Sequence, residues 1–426
     1  MGEEYLSSFR AMNGILHVGG TSTVEIAEAY GTPLYVVDEA RIRDNYRRLK
    51  KAFRDEARIY YAAKANSNIS VLRVLLEEGA YVDASSPGEI FLALKAGFKG
   101  DRIMYTGTSV SREELEYAVD KGVSINVDSI SQMRNLIQIG GLDFVSVRVN
   151  PGVGSGHHAH VVTGGSSSKF GLWSSDIEEA YRLALKAGIG RFGIHMHIGS
   201  GIMEAEPYIR ALDSLMDIAG RIHENLGIGF ELIDIGGGFG VPYRPGEAPL
   251  DIEGLASELL ERFRIHLAEK GLGSPILCVE PGRYIVCDST LLLTRVTSIK
   301  RTPYRTFIGV DAGFNVLIRP AMYNAYHHIV AAARLDEPPS GRYDVAGPLC
   351  ESGDLLGVDR SLPGVREGDL LAVLDAGAYG YSMSSQYNAR PRPAEVLVKD
   401  GRVELIRRRE TLRSLLKGQR IASWLE

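Results

Sequence analysis

The sequence has few cysteines, no long apolar run and no excess of positive charge, and each shortage removes a class of function. Its three cysteines stand at Cys278, Cys287 and Cys350. An odd number without CxxC spacing argues against a disulfide framework or a zinc site, and it fits a reducing cytoplasm. No stretch approaches the ~18 apolar residues of a membrane-spanning helix. The first residues, MGEEYLSSFRAMNG, are acidic and lack the apolar core of a signal peptide. Lysine and arginine number 48 against 53 acidic residues, a net charge of −5, so nothing favours nucleic acid. The densest basic run, Arg407–Arg409, is followed at once by Glu410, the mixed pattern of a solvated face. His157, His158 and His160 sit in a glycine-rich stretch without a matching carboxylate or cysteine, so no metal is expected there or at His327-His328.

What is present is an ordinary globular composition in 426 residues, enough for two domains. Apolar runs alternate with amphipathic stretches between about residues 57 and 282. Eight runs read as strands: Arg58–Ala63, Tyr81–Ala84, Ile103–Thr106, Ser124–Val127, Phe144–Val149, Phe192–Ile198, Leu232–Ile235 and Ile276–Glu280. Strand–helix alternation implies a parallel sheet, and eight units in ~225 residues imply a closed (β/α)₈ TIM-like barrel, with an open doubly wound sheet as the alternative. After about residue 284 the long helices stop. Thr290–Lys300, Thr306–Asp311, Tyr343–Ala346, Asp369–Leu374 and Ala394–Glu404 read as strands of an all-β domain. A short strand, Gly14–Val18, and a short helix, Thr23–Tyr30, are assigned to that domain too. The expected division is a barrel over residues 33–283 and a β domain of residues 1–32 and 284–426. Gly164–Ser168 reads as a flexible loop.

Barrels carry their chemistry at the C-terminal ends of the strands. Lys64, in Tyr61-Ala62-Ala63-Lys64-Ala65-Asn66, follows the first strand directly. It either snorkels to the rim or serves as a covalent amine. Gly236, Gly237 and Gly238, after strand seven, form either a structural turn or a phosphate cradle of backbone N–H groups. That turn is not GxGxxG, because position 241 is Val, and no Walker A sequence occurs. His197 follows strand six with Ser200 among glycines. It is either a core histidine or the lining of an aromatic cofactor, with the Ser200 hydroxyl on a phosphate; His195 points the same way. Glu280 closes strand eight ahead of Gly282 and Arg283. It either pairs with Arg283 or keeps a pyridine nitrogen protonated, so that the ring is an electron sink. On one rim, these are the parts of a pyridoxal-phosphate site. The β domain adds polar, turn-rich segments at Asp311–Pro320 leading to Tyr323, at Cys350–Asp354 and at Gly377–Gly380.

With these segments in view, the chain resembles the alanine-racemase-like, fold-type III pyridoxal-phosphate enzymes, and within them the diaminopimelate decarboxylases. The resemblance runs from about Ile15 to Leu416 and rests on YYAAKAN, HMHIGSG, DIGGGFG, VEPGR, DAGFNVLIRPAMYNAYH, VAGPLCESGD and GAYGYSMSSQYNARPRPAEV. It implies that Lys64 carries pyridoxal 5′-phosphate, that His197 stacks on its ring, and that Glu280 meets the ring nitrogen. It places Ser200, Gly236, Gly237, Gly238, Gly282, Arg283 and Tyr379 around the phosphate, with Asp83 and Arg148 near the lysine and ring. Cys350 resembles the acid that protonates the substrate carbon after CO₂ leaves, a role suited to a thiol that is mostly protonated at neutral pH. Arg283, Arg319, Tyr323, Glu351 and Tyr379 match substrate-binding positions. The family is a head-to-tail homodimer with shared sites, in which Cys350 and Glu351 act in trans.

The reaction so implied is decarboxylation of meso-2,6-diaminopimelate to L-lysine and CO₂, the last step of lysine biosynthesis. Two arginines and Tyr323 suit the distal carboxylate and Glu351 the distal ammonium. The alternative is a sister decarboxylase acting on ornithine, arginine or a carboxylated polyamine. Two positions depart from the family pattern: Thr108-Ser109-Val110 replaces Asn-Asn-Lys, and Val316 replaces an acid.

Overall fold

Side chains two residues apart on a strand share a face, and this parity separates floor from mouth in the unit that carries the lysine. The computed structural model describes Leu6, residues 9–152, Gly154, Gly165 and residues 168–425. His157, His158, His160 and most of the loop expected at Gly164–Ser168 lie outside the described residues. The chain divides into two compact units, one of Ile42–Pro242 and Ala248–Ile285, the other of Met1–Arg41, Tyr243–Glu247 and Val286–Glu426.

In the first unit eight parallel strands close into a barrel: β1 (Ala57–Ala62), β2 (Tyr81–Ala84), β3 (Ile103–Tyr105), β4 (Ser124–Val127), β5 (Phe144–Arg148), β6 (Arg191–His195), β7 (Phe230–Asp234) and β8 (Ile276–Val279). β8 returns to β1 through Leu277↔Ala57, Cys278↔Arg58 and Val279↔Ile59, which excludes the open sheet. Asn68, Ser86, Ser111 and Ser129 each accept a backbone N–H of the helix that follows them, so each helix starts a few residues after its strand. Tyr60, Met104, Phe144, Leu232 and Cys278 form an apolar cluster, with Tyr81 packed against it. Two residues further along the same strand faces stand Asp83, Ser146, Asp234 and Glu280, all buried. The floor is therefore apolar and the mouth polar. Buried polar groups are costly without partners, so a mouth built this way marks a site.

The second unit holds a nine-stranded sheet. The long strand Thr290–Arg301 pairs with Leu34–Asp38 and Leu370–Val373 in its first half and with Thr306–Val310 in its second. Its central strands, Leu34–Asp38, Leu370–Val373 and the first half of Thr290–Arg301, are buried on both faces. Leu34, Val36, Leu291, Leu293, Val396 and Val398 pack into one core, and Tyr35, Leu292, Leu371 and Val373 into the other. This corrects the expected boundary at residue 33, because Leu34–Asp38 runs parallel to Ala394–Val398 in this sheet and outside the barrel. Leu34–Asp38 is a strand that the sequence reading did not find; it is buried along its whole length and so has no polar alternation. The expected strand Ala394–Glu404 is a hairpin of Ala394–Lys399 and Arg402–Arg407. Its Asp400-Gly401 turn has φ of 49° and 76°, the paired positive values of a two-residue hairpin loop. Ile329–Ala331 and Leu355–Leu362 are strands that the sequence reading did not find. Among the described residues no helix is long and apolar enough to cross a membrane.

His328 in this unit gives a pH prediction. Its ring stacks on Tyr326, and the Arg360 guanidinium lies 3.8 Å and the Arg244 guanidinium 4.3 Å from the centroid of the Tyr326 ring. Burial, then the Arg360 charge, lowers the His328 pKa from 6.5 to about 4. The unfolded chain therefore takes up a proton below pH 6.5 that the folded chain refuses until about pH 4. Stability from this group is complete above pH 6.5 and is lost as pH falls through that window, by at most about 3 kcal/mol. Urea unfolding of wild type and His328→Phe across this range checks it. The wild-type advantage shrinks toward pH 4, and a constant difference between the two refutes the linkage.

Candidate active site

Lys64 lies in a single 3₁₀ turn, Ala63–Ala65, at the end of β1. Its Nζ is 3.0 Å from Asp83 Oδ2 at the end of β2. The Lys64 side chain is 36% exposed and Asp83 is fully buried, so the amine reaches the mouth while its partner stays behind. Burial and the Glu280 charge raise the Asp83 pKa, and Lys64 opposes them. Arg148 ends β5, buried, with its guanidinium 4.6 Å from the centroid of the Phe170 ring.

Glu280 and His195 form the centre of the mouth. His195 Nε2 is 3.1 Å from Glu280 Oε2, with both side chains buried. Burial works to raise the Glu280 pKa, but the His195 contact and then the Lys64 charge outweigh it and hold the carboxyl at about 2. Asp234 moves the other way: burial and the Glu280 charge push it well above the carboxylate range, although its Oδ1 accepts the Gly236 N–H at 2.8 Å. Of these two carboxyls, Glu280 carries the negative charge. His195, Asp234 and Glu280 each bring one potential ligand atom within 4.8 Å of the others, but His195 and Glu280 bond directly to each other.

The glycine turn packs on both neighbouring strand ends. Gly236 and Gly238 have φ of 72° and 96°. A Cβ on Gly237 would lie 1.8 Å from the Glu280 carbonyl oxygen, so this approach requires glycine. Gly237 N–H donates to His197 Nδ1 at 3.1 Å. That bond assigns the tautomer, with the ring proton on Nε2. Burial, then the charges of Lys64 and Arg148, drives the His197 pKa well down, so the ring is neutral. Arg283, 4% exposed, donates from Nη2 to Ser200 Oγ at 3.1 Å. The structure thus brings Lys64, Asp83, Arg148, His197, Ser200, Gly236–Gly238, Glu280, Gly282 and Arg283 to the mouth end of one barrel. His195 gains a role beyond the core residue it first resembled.

A second group forms within the β unit. The Asp354 carboxylate accepts Phe314 N–H at 2.6 Å and Leu349 N–H at 2.8 Å, tying the 311–319 loop to the 347–354 loop. Cys350 is exposed at this junction, whereas Cys278 and Cys287 are buried. Glu351 accepts the Tyr387 hydroxyl at 2.7 Å. Arg319 opens a short helix that ends at Tyr323. It is 1% exposed, donates to His327 Nε2 at 2.7 Å, and lies 4.7 Å from the centroid of the Tyr243 ring. Tyr379 has a φ of 57°, a left-handed conformation that bulky residues adopt only where the surroundings impose it. Sequence reading missed His195, Asp354, Tyr387 and Asn388 as parts of these groups, although all stand inside motifs it singled out.

The barrel mouth suits a phosphorylated aromatic cofactor. Glu280 Oε1, Asp83 Oδ1, Ser146 Oγ and both polar side-chain atoms of Asn126 are buried and have no hydrogen-bond partner among the described residues. Buried polar atoms need partners, and a bound polar ring would supply one to Glu280 Oε1. A bound ring would find Glu280 at its nitrogen and neutral His197 at its face, and Ser200, Arg283 and the close-packed glycine turn would suit a phosphate, with the Gly236 and Gly237 N–H groups already donating to Asp234 and His197.

The comparisons agree with this chemistry. Residues 39–287 match the family described as "Pyridoxal-dependent decarboxylase, pyridoxal binding domain". The chain is 56% identical over 417 residues to the diaminopimelate decarboxylase of Methanothermobacter thermautotrophicus, covering 97% of each. It is 45% identical over 422 residues to that of Archaeoglobus fulgidus, covering 98% of this chain and 100% of the relative. A crystal structure of diaminopimelate decarboxylase from M. jannaschii in complex with L-lysine superposes with a TM-score of 0.92 at 35% identity, covering 99% of each chain.

Proposed function

The chain belongs to the diaminopimelate decarboxylase family of pyridoxal-dependent enzymes, and we propose that it converts meso-2,6-diaminopimelate to L-lysine and CO₂ with the residues assigned below. The observation that carries the reading is Glu280: buried, ionised, held on one oxygen by His195 and without a hydrogen-bond partner among the described residues on the other, at the same barrel mouth as Lys64. Pyridoxal phosphate, when bound, supplies an electron sink for the bond that breaks at the substrate α-carbon.

Lys64 is the amine that carries the cofactor, with Asp83 as its counter-ion at 3.0 Å. Glu280 keeps a proton on the ring nitrogen through Oε1. Neutral His197 orients the ring without adding a competing charge, and Arg148 adds positive charge at the mouth. Ser200, Gly236–Gly238, Gly282, Arg283 and Tyr379 bind the phosphate. Arg283, Arg319, Tyr323 and Tyr379 hold the substrate, the arginines taking the distal carboxylate, and Glu351 takes the distal ammonium. Cys350 returns a proton to the α-carbon from its thiol. We further propose a cytoplasmic homodimer whose sites combine one barrel with the partner's β unit, so that Cys350 and Glu351 act in trans. The exposed Cys350 thiol suits a reducing compartment.

CO₂ release and amine product from meso-diaminopimelate test the reading, with LL-diaminopimelate, lysine and ornithine alongside. Lysine is expected from the meso compound alone. Lysine and ornithine, which lack the distal carboxylate, are expected to react slower by ~10⁴-fold or more, because they bring no anion to the arginine charges. Ornithine turnover at a comparable rate would reassign the chain to a sister decarboxylase.

A further inference from the structure

The loop Ser384–Arg390 belongs to no role assigned so far, yet it holds both members of the Cys350–Glu351 pair. Asn388 Oδ1 accepts the Cys350 backbone N–H at 2.8 Å. The neighbouring Tyr387 hydroxyl donates to Glu351 Oε1 at 2.7 Å. The Tyr387 ring stacks on Phe314 at 5.4 Å and 28°, and Ser385 N–H donates to the Asn315 carbonyl at 2.8 Å. Phe314 is in turn tied through Asp354 to Leu349, the residue before Cys350. Three loops are thus joined into one piece around a thiol and a carboxylate. The backbone records what this costs. Asn388 and Ala389 have φ of 53° and 54°, two consecutive non-glycine residues in the left-handed region. Asparagine tolerates that region and alanine does not favour it. Such a conformation persists only where surrounding contacts impose it, and the conformation is what points the Asn388 side chain back at Cys350.

We propose that Asn388 and Tyr387 are positioning residues for the reaction. Asn388 sets the backbone that aims the Cys350 thiol, and Tyr387 sets the Glu351 carboxylate that receives the distal end of the substrate. The inference rests on the roles proposed above for Cys350 and Glu351. The two contacts separate kinetically. Glu351 acts on binding, so Tyr387→Phe, which keeps the ring and its stacking on Phe314 but removes the hydroxyl, raises KM for meso-diaminopimelate by ~3–10-fold with kcat nearly unchanged. Cys350 acts in the proton transfer, so Asn388→Gly lowers kcat by ~3–10-fold with KM nearly unchanged. Glycine keeps the left-handed backbone and removes only the acceptor. Asn388→Asp, which keeps both, restores kcat to within about threefold of wild type.

A cofactor-independent readout runs in parallel. Cys350 is the exposed one of three free cysteines, so iodoacetamide alkylation followed by peptide mass mapping reports its setting directly. Alkylation is expected to be faster in Asn388→Gly than in wild type and unchanged in Tyr387→Phe. If Asn388→Gly alkylates at the wild-type rate and both variants keep wild-type kcat and KM, the inference is wrong. A wild-type protein that makes no lysine from meso-diaminopimelate defeats the functional reading instead, and the alkylation comparison still decides whether Asn388 sets Cys350.

Discussion

Lys64→Ala is expected to lower kcat on meso-diaminopimelate by ~10⁴-fold or more, because it removes the amine on which the covalent chemistry depends. No neighbour can stand in for it. Among the described charged groups whose fields reach Asp83, Glu280 and His197, the only primary amine is Lys64, and Arg148 is a guanidinium with no nucleophilic lone pair to offer. The loss is chemical more than structural, since the Lys64 side chain is 36% exposed and its removal takes the counter-ion from Asp83. Burial and the Glu280 charge already raise the Asp83 pKa, so a lone Asp83 takes up a proton instead of remaining a buried charge. Ser200, the glycine turn and Arg283 are untouched, and the variant is expected to bind pyridoxal phosphate without a covalent bond. Borohydride treatment and peptide mass mapping separate the two proteins: the wild type retains one cofactor mass on the peptide containing Lys64, and the variant retains none. A variant within tenfold of wild type, or a wild-type adduct on another lysine, would remove Lys64 from its assigned role.

The barrel was legible because its signal is periodic. Each strand supplies a side-chain parity and the floor residues fix its sign, so Phe144 predicts the face of Ser146 and Arg148, and Cys278 that of Glu280. The strands expected at Tyr81–Ala84 and Ser124–Val127 have those bounds in the structure, and the rest differ by one to three residues at their ends. The β unit was read less well, for two reasons. Leu34–Asp38 is covered on both faces and so carries no alternation to mark it. Ile329–Ala331 is only three residues long, and Leu355–Leu362 carries exposed charges at its centre, so neither gives a clear run. For the site, the residue types were visible but their partners were not. That Glu280 bonds to His195 depends on β6 and β8 flanking β7 in the barrel, which brings together residues 85 positions apart in sequence. Asp354, Tyr387 and Asn388 likewise acquire meaning only when the 347–354 and 384–390 loops meet.

The Glu280–His195 pair gives the other large effect. Glu280→Gln keeps the shape and a hydrogen-bonding atom for His195 Nε2 but removes the negative charge that faces the ring nitrogen. A fixed charge in a buried site acts far more strongly than in water, so kcat is expected to fall by ~10²–10³-fold. Stability is expected to change much less. The Glu280 charge is one of the causes that raise both Asp83 and Asp234, so its removal relieves two buried carboxyls while an amide still meets His195. Glu280→Ala differs, because it leaves His195 Nε2 buried without its partner, and it should lose stability as well as activity. The pairing of variants therefore separates charge from packing. The ¹⁵N shift of ring-labelled pyridoxal phosphate reads the contact directly, with a protonated nitrogen in wild type and an unprotonated one in Glu280→Gln. If Glu280→Gln keeps the wild-type shift and rate, the charge that protonates the ring lies elsewhere. A lost rate with an unchanged shift would mean that Glu280 acts on the substrate and not on the cofactor.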